Sequence, residues 1–215
     1  KKTFELFFTK IRKYLKKDLK VLEIGSYYGV LGNLIKPHVK EYHGLELSTH
    51  AATYAKKNFD LNIIEDHLEN HLKKNNKYDL VIMTDVIEHL DNPFEVINLI
   101  NQNLSKEGNL ILSTFNFDSL FSKIMGRRYP WIIPMHKYYF SNTTLDNCLT
   151  RYNLKIFDIK NDTRLISLEY LFNRLNIMLP IFKFILNYFL RFKFIKNLTI
   201  KINLYDLKIY FCKKF

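Results

Sequence analysis

"VLEIGSYYG" occupies residues 21–29. An apolar run ends in a carboxylate, Glu23, passes through Ile24 to Gly25, and turns back at Gly29. A buried strand that ends in an acid and enters a turn lacking bulk at two points predicts a ligand over that turn. Glu23 and bare backbone then read its charged or hydroxylated groups. A plain strand-to-helix turn uses the same residue types, so the stretch takes its meaning from its surroundings.

Working outward, the segments alternate. Phe4, Phe7, Phe8, Ile11 and Leu15 recur at helical spacing and predict an N-terminal helix over 3–15. Strands are predicted at 20–24, 41–46, 61–65, 78–83 and 109–114, with helices at 29–36, 49–58, 67–74 and 93–104. Such alternation implies right-handed βαβ units and a mostly parallel sheet. "SKEG" (105–108) reads as a helix exit with Gly108 in a left-handed cap. Residues 115–140, with Gly126, Pro130 and Pro134, read as a long loop or lid. "SNTTLDNCL" (141–149) predicts a helix capped by Ser141 or Asn142. Strands return at 154–160 and 202–212, around a helical insert at 161–200.

The 215 residues, 47% apolar and 25% charged, suit a single domain with a real core. Cys148 and Cys212 do not make a disulfide framework, so a reducing compartment, the cytoplasm, is expected. The net charge of +12 is unevenly spread. Residues 1–20 carry +6, residues 21–159 carry −2 and residues 160–215 carry +8. A nucleic-acid enzyme places basic surface beside its site. Here the excess is peripheral, which disfavours nucleic acid and suits an anionic membrane surface or substrate.

"GLELS" ends the second predicted strand and puts Glu46 21 residues after Gly25. An acid there is the usual partner of ribose hydroxyls. With no G-x-G-x-x-G and no lysine-bearing phosphate loop, the turn suits a nucleoside without a pyrophosphate.

Together, "VLEIGSYYG", "YHGLELS", "YDLVIMTDVIEHLDNP" and "LSKEGNLILST" resemble, in order and spacing, the core of class I S-adenosylmethionine-dependent methyltransferases. The resemblance spans about residues 15–160. It implies an α/β, Rossmann-like, doubly wound seven-stranded mixed sheet whose last strand, "INLYDLKIYFCKKF", is antiparallel. It implies S-adenosylmethionine as donor, with Glu23 and Gly25 facing the methionine part and Glu46 the ribose. Asp66 is placed near the adenine, although a cap for the helix at 67–74 is the alternative role. Thr84 and Asp85 line the methyl donor, and Ser26, Gly29, Leu47 and His67 flank the pocket. Tyr27 and Tyr28 replace the family's small residues, and either stacks on the ligand, narrows the pocket or points to solvent.

In "DVIEHLDNP", Asp85, Glu88 and His89 stand at i, i+3 and i+4, so one helical turn gathers them. The element resembles that of ubiquinone-pathway O-methyltransferases and small-RNA 2′-O-methyltransferases. It implies a metal site of Asp85, Glu88, His89 and His136, filled by Mg²⁺ or Mn²⁺, or else His136 or His89 as a plain base. In the lid, "GRRYPW" offers Arg127, Arg128, Tyr129 and Trp131 to a substrate. Residues 177–196 form a broadly apolar stretch with Lys183, Asn187 and Arg191 every fourth residue. It is too short and too charged to span a bilayer, and is expected to bury itself in the domain, in a homodimer or in a membrane interface. The expected function is O-methylation of a small-molecule, lipid-linked or sugar hydroxyl. RNA 2′-O-methylation and a non-catalytic subunit with a blocked cofactor site are the alternatives.

Overall fold

A computed structural model describes residues 2–178 and 198–215. In chain order the elements are α1 (Lys2–Ile11), β1 (Lys20–Ile24), α2 (Val30–Ile35), β2 (Glu41–Leu45), α3 (Thr49–Phe59) and β3 (Ile63–Ile64). Next come α4 (Leu68–Lys73), β4 (Tyr78–Thr84), α5 (Pro93–Asn103), β5 (Leu104–Phe115), α6 (Leu120–Met125) and α7 (Asn142–Arg151). Then follow β6 (Leu154–Asn161), β7 (Arg164–Ser167), α8 (Leu168–Met178), β8 (Thr199–Ile202) and β9 (Leu207–Lys214). Seven strands form one sheet in the order β3-β2-β1-β4-β5-β9-β6. The pairs from β3 to β5 are parallel, and β9 runs antiparallel to both its neighbours.

Alternation along each central strand builds two cores, because successive side chains leave a strand on opposite faces. Leu80, Ile82, Ile111, Ile209 and Phe211 face one side, where Phe7, Ile11, Leu31, Ile35, Ala52 and Ala55 of α1–α3 cover them. Val81, Met83, Leu110, Leu112, Tyr210 and Cys212 face the other, beneath α4, α5 and α7. Both faces are therefore dry, which explains why these strands read as continuous apolar runs. Both cysteines are free and buried.

Three expectations are corrected. "SKEG" does not end a helix. Strand β5 starts at Leu104, and Gly108 does not share the positive φ of Gly25, Gly29 and Gly126. Leu104 pairs with Tyr78 and Asn109 with Leu80, so residues 105–108 bulge between two paired positions of the strand. The lid at 115–140 is not all loop, since Ser119 caps α6 and a 3-10 turn covers Gly126–Arg128. The insert is not purely helical: β7 and β8 pair antiparallel in a separate two-stranded sheet, and the last strand starts at Leu207 rather than 202. Ser141 is the N-cap of α7, through a capping box with Thr144. The apolar stretch at 177–196 lies almost wholly outside the described residues.

Candidate active site

Strand β1 pairs with β2 on one side and β4 on the other, so the strand order reverses at β1. Ligands of open α/β sheets bind at the carboxyl ends of strands beside such a switch. The turn after β1 is pinned there, with Gly25 N and Ser26 N donating to Leu45 O at 2.9 and 3.1 Å. A Cβ at Gly25 would sit 2.6 Å from Val86 Cγ2, and one at Gly29 would sit 2.7 Å from Ala55 Cβ. Both glycines also take φ near 73°. Their small size thus lets the β4 loop and α3 close on the turn. Tyr27 (φ 46°) and Asp85 (φ 53°) face this region from the two loops, in a left-handed backbone that costs non-glycine residues about 1–2 kcal/mol each.

Glu46 serves the turn directly. Its carboxylate accepts from Tyr27 N and from Ser48 N, each at 2.8 Å. Two acceptor oxygens leave lone pairs for a hydroxylated ligand. Leu47 beside it is 60% exposed. Asp66 accepts from its own neighbour His67 N and pairs with Lys74 at 2.7 Å, which holds its carboxyl below the usual range. It does not cap α4, whose N-cap His67 has no side-chain bond. Tyr27 is exposed, with its ring 4.2 Å from that of Tyr28. Thr84 Oγ1, at the end of β4, is buried without a hydrogen-bond partner. A buried hydroxyl left unpaired is costly, and a ligand atom in the cleft would satisfy it.

Glu23 is buried and accepts from Tyr42 Oη at 2.6 Å. Burial pushes its carboxyl up to about 8, and Glu46 adds to the rise. The folded chain therefore keeps a proton that the unfolded chain gives up above the usual carboxylate range. Stability from this group is complete at pH 4 and is lost as pH rises toward 8. Thermal melts of the ligand-free protein between pH 5 and 8 are expected to show this decline. Glu23→Gln should make it shallower, with the remainder coming from the similarly raised Glu88; an unchanged slope would remove Glu23 as a source.

The metal set is only partly assembled. Glu88, His89 and His136 each offer a ligand atom, and these atoms lie within 4.8 Å of one another. Asp85 does not join them. Its left-handed backbone breaks the helical turn, which begins only at Ile87. Its carboxylate instead takes Arg164 Nη2 at 2.5 Å and Ser113 Oγ at 2.9 Å. His89 Nδ1 lies 2.9 Å from Met135 O, and His136 Nδ1 lies 2.7 Å from Trp131 O. Carbonyls only accept, so each Nδ1 carries a proton. Burial pushes Glu88 up to about 8, with Asp85 contributing, and Thr114 Oγ1 donates to it at 3.1 Å. Burial holds His136 below its ordinary range, hence neutral at pH 7.

The lid residues divide. Arg127 and Arg128 are exposed. Tyr129 is buried rather than open to substrate, and its hydroxyl donates to Asp206 Oδ2 at 2.9 Å. Trp131 Nε1 donates to the same oxygen at 3.2 Å, while the ring stacks on Phe115. Asp206, Asp162 and Arg164 were not read from the sequence. Asp162 is buried between Lys10 (3.0 Å) and Arg164 Nε (3.1 Å). The only signal was a pair of acids at the borders of strands, in "NDTRLIS" and "NLYDLK".

Comparison with known proteins agrees with this geometry. The family model described as a methyltransferase domain matches residues 2–159. The mitochondrial ubiquinone biosynthesis O-methyltransferase of Dictyostelium discoideum is 30% identical over 112 residues, 48% of this chain and 35% of that protein. Its counterpart in Glaesserella parasuis is 29% identical over 107 residues, 45% of each. The matched segment thus spans less than half the length of either relative. Among solved structures, a SAM-dependent methyltransferase from Archaeoglobus fulgidus superposes with a TM-score of 0.63 at 19% identity, over 98% of this chain and 94% of that one. The magnesium protoporphyrin IX methyltransferase of Synechocystis, solved with bound SAH, gives 0.64 at 15% identity, over 100% and 83%. With the reversal at β1, the antiparallel β9 and a family match over most of the chain, this protein belongs to the class I S-adenosylmethionine-dependent methyltransferases.

Proposed function

We propose that the enzyme methylates a hydroxyl oxygen of a small, lipid-linked or sugar acceptor. The convergence of Glu88, His89 and His136 after β4 carries this reading, and the names of the two ubiquinone-pathway relatives support it. The donor's sulfonium supplies the activation, so the protein aligns acceptor and methyl and takes up one proton. The neutral His136 is suited to take it, because its Nε2 lone pair is free of the carbonyl that holds Nδ1.

The same three residues would hold a divalent ion. With two imidazoles and one carboxylate, and Asp85 engaged elsewhere, the donor set suits Mn²⁺, Fe²⁺ or Zn²⁺ better than the all-oxygen preference of Mg²⁺. When bound, such an ion lowers the pKa of an acceptor hydroxyl. Methyl transfer from labelled donor to catechol and sugar hydroxyls, with amine acceptors as control, tests the reading. Activity is expected on hydroxyls; loss in chelator with rescue by Mn²⁺ more than by Mg²⁺ would make His136 Nε2 a metal ligand instead of the base. Transfer to amines alone would overturn it. Full activity in chelator would leave His136 or His89 as a plain base.

No helix among the described residues is long and apolar enough to cross a membrane. We propose peripheral binding through the lid instead. Leu120 (75%) and Ile124 (72%) are exposed on α6, and Ile132 and Met135 are exposed later in the same lid. Lys123, Arg127 and Arg128 stand among them, and basic residues beside inserted apolar ones favour anionic lipid. Sedimentation with phosphatidylserine vesicles should carry the protein down at low salt and less so at high salt. The double change Leu120→Asp, Ile124→Asp should leave it in the supernatant. Equal sedimentation of variant and parent would exclude the lid.

A further inference from the structure

A cavity of about 700 Å³ lies at the carboxyl edge of the sheet, between α1, the lid and the β7–β8 pair. This is within the range of small-molecule pockets. Phe4, Phe121, Met125, Ile166, Leu171 and Leu204 give it apolar walls. Its buried polar groups mostly answer one another. Asp206 takes Tyr129 and Trp131, and Arg164 bridges Asp85 and Asp162. Arg164 Nε faces Asp162 as an ion pair but makes no hydrogen bond, so this wall carries one buried N–H open to a polar guest. Arg128, also in the lining, makes no hydrogen bond or ion pair with any described residue. It therefore offers the wall's uncommitted cation. Two contacts tie the cavity to the reaction centre. Trp131 holds His136 through its carbonyl, and Arg164 holds Asp85 of the donor loop. Helix α6 turns Phe121 and Met125 to the cavity while Leu120 and Ile124 stay outside, as i, i+4 pairs on two faces must.

We infer that the acceptor is an anionic amphiphile, with its apolar body in this cavity and a carboxylate or phosphate held by Arg128. This rests on the methyltransferase reading and narrows its substrate class. Trp131 is the chain's single tryptophan and stands in the wall, so its fluorescence reports occupancy. The probe is dodecanoate below its micelle concentration, compared with dodecanol and dodecyltrimethylammonium. Dodecanoate should shift the emission saturably and bind about 5- to 10-fold tighter than dodecanol, the scale of one partly exposed charge-assisted contact. Arg128→Gln should reduce dodecanoate to the dodecanol level and leave dodecanol unchanged. Arg151→Gln, exposed at the end of α7 and outside the lining, should leave both affinities unchanged. No saturable shift, equal binding of acid and alcohol, or equal loss in the two arginine variants would overturn the proposal. Calorimetry with S-adenosylmethionine on the same sample separates the two levels. Donor binding without probe binding sinks this inference alone, whereas loss of donor binding in a folded sample removes the reading beneath it.

Discussion

Replacing His136 by alanine is expected to cut turnover by about 10²- to 10⁴-fold, the range for loss of a positioned general base. Its Nδ1–H is committed to Trp131 O, its ring stands 4.8 Å from Phe115, and its other nitrogen faces Glu88 and His89. Donor affinity should change little, because the residues around the first turn do not include it. The loss belongs in kcat rather than in the donor's binding constant. Parent enzyme should also show an acidic limb in its rate profile, below the ordinary histidine range because burial lowers the titration of this histidine. In His136→Ala that limb should vanish. If the variant keeps full turnover, or only melts earlier with its profile intact, His136 is a structural residue and the proton goes elsewhere. A larger loss in His89→Ala would move the role to His89.

Glu46→Ala is expected to weaken S-adenosylmethionine binding by about 10- to 150-fold, the equivalent of 1.5–3 kcal/mol for a charge-assisted contact. Two effects combine. The ribose partner disappears, and Tyr27 N and Ser48 N lose the carboxylate that holds them. Glu46→Gln separates these, because its single carbonyl oxygen can keep one of the two backbone bonds. Its affinity should fall between alanine and parent. Glu46 is half-exposed, so the fold should survive either change. Isothermal titration gives the answer, and unchanged affinity in folded Glu46→Ala would remove this residue from the donor site.

Most of the sheet was legible before any coordinates. Leu80, Val81, Ile82 and Met83 belong to a strand buried on both faces, and no other element accommodates so dense a run between loops. That Glu23, Gly25 and Glu46 come together at one edge of the sheet was legible for a related reason. The carboxyl ends of adjacent parallel strands come together whenever the strand order reverses there, so spacing along the chain stands in for distance. The boundary at "SKEG" was not legible, because the glycine serves a cap or a strand bulge equally well, and pairing of Leu104 and Asn109 with β4 on either side decides between them.

What the sequence determined by itself is therefore the repeating part: which residues form strands, which end at the ligand edge, and which family that pattern matches. Tertiary structure alone decided the rest. Asp85 looked like a metal ligand by its helical spacing, yet Arg164, 79 residues later, claims its carboxylate. Tyr129 looked like a substrate contact, yet Asp206, 77 residues later, buries it. Neither partner follows a periodicity, because an ion pair or hydrogen bond between distant segments depends on where their loops meet. Periodic burial is written locally in a chain, whereas the pairing of buried charge is settled only when the loops pack.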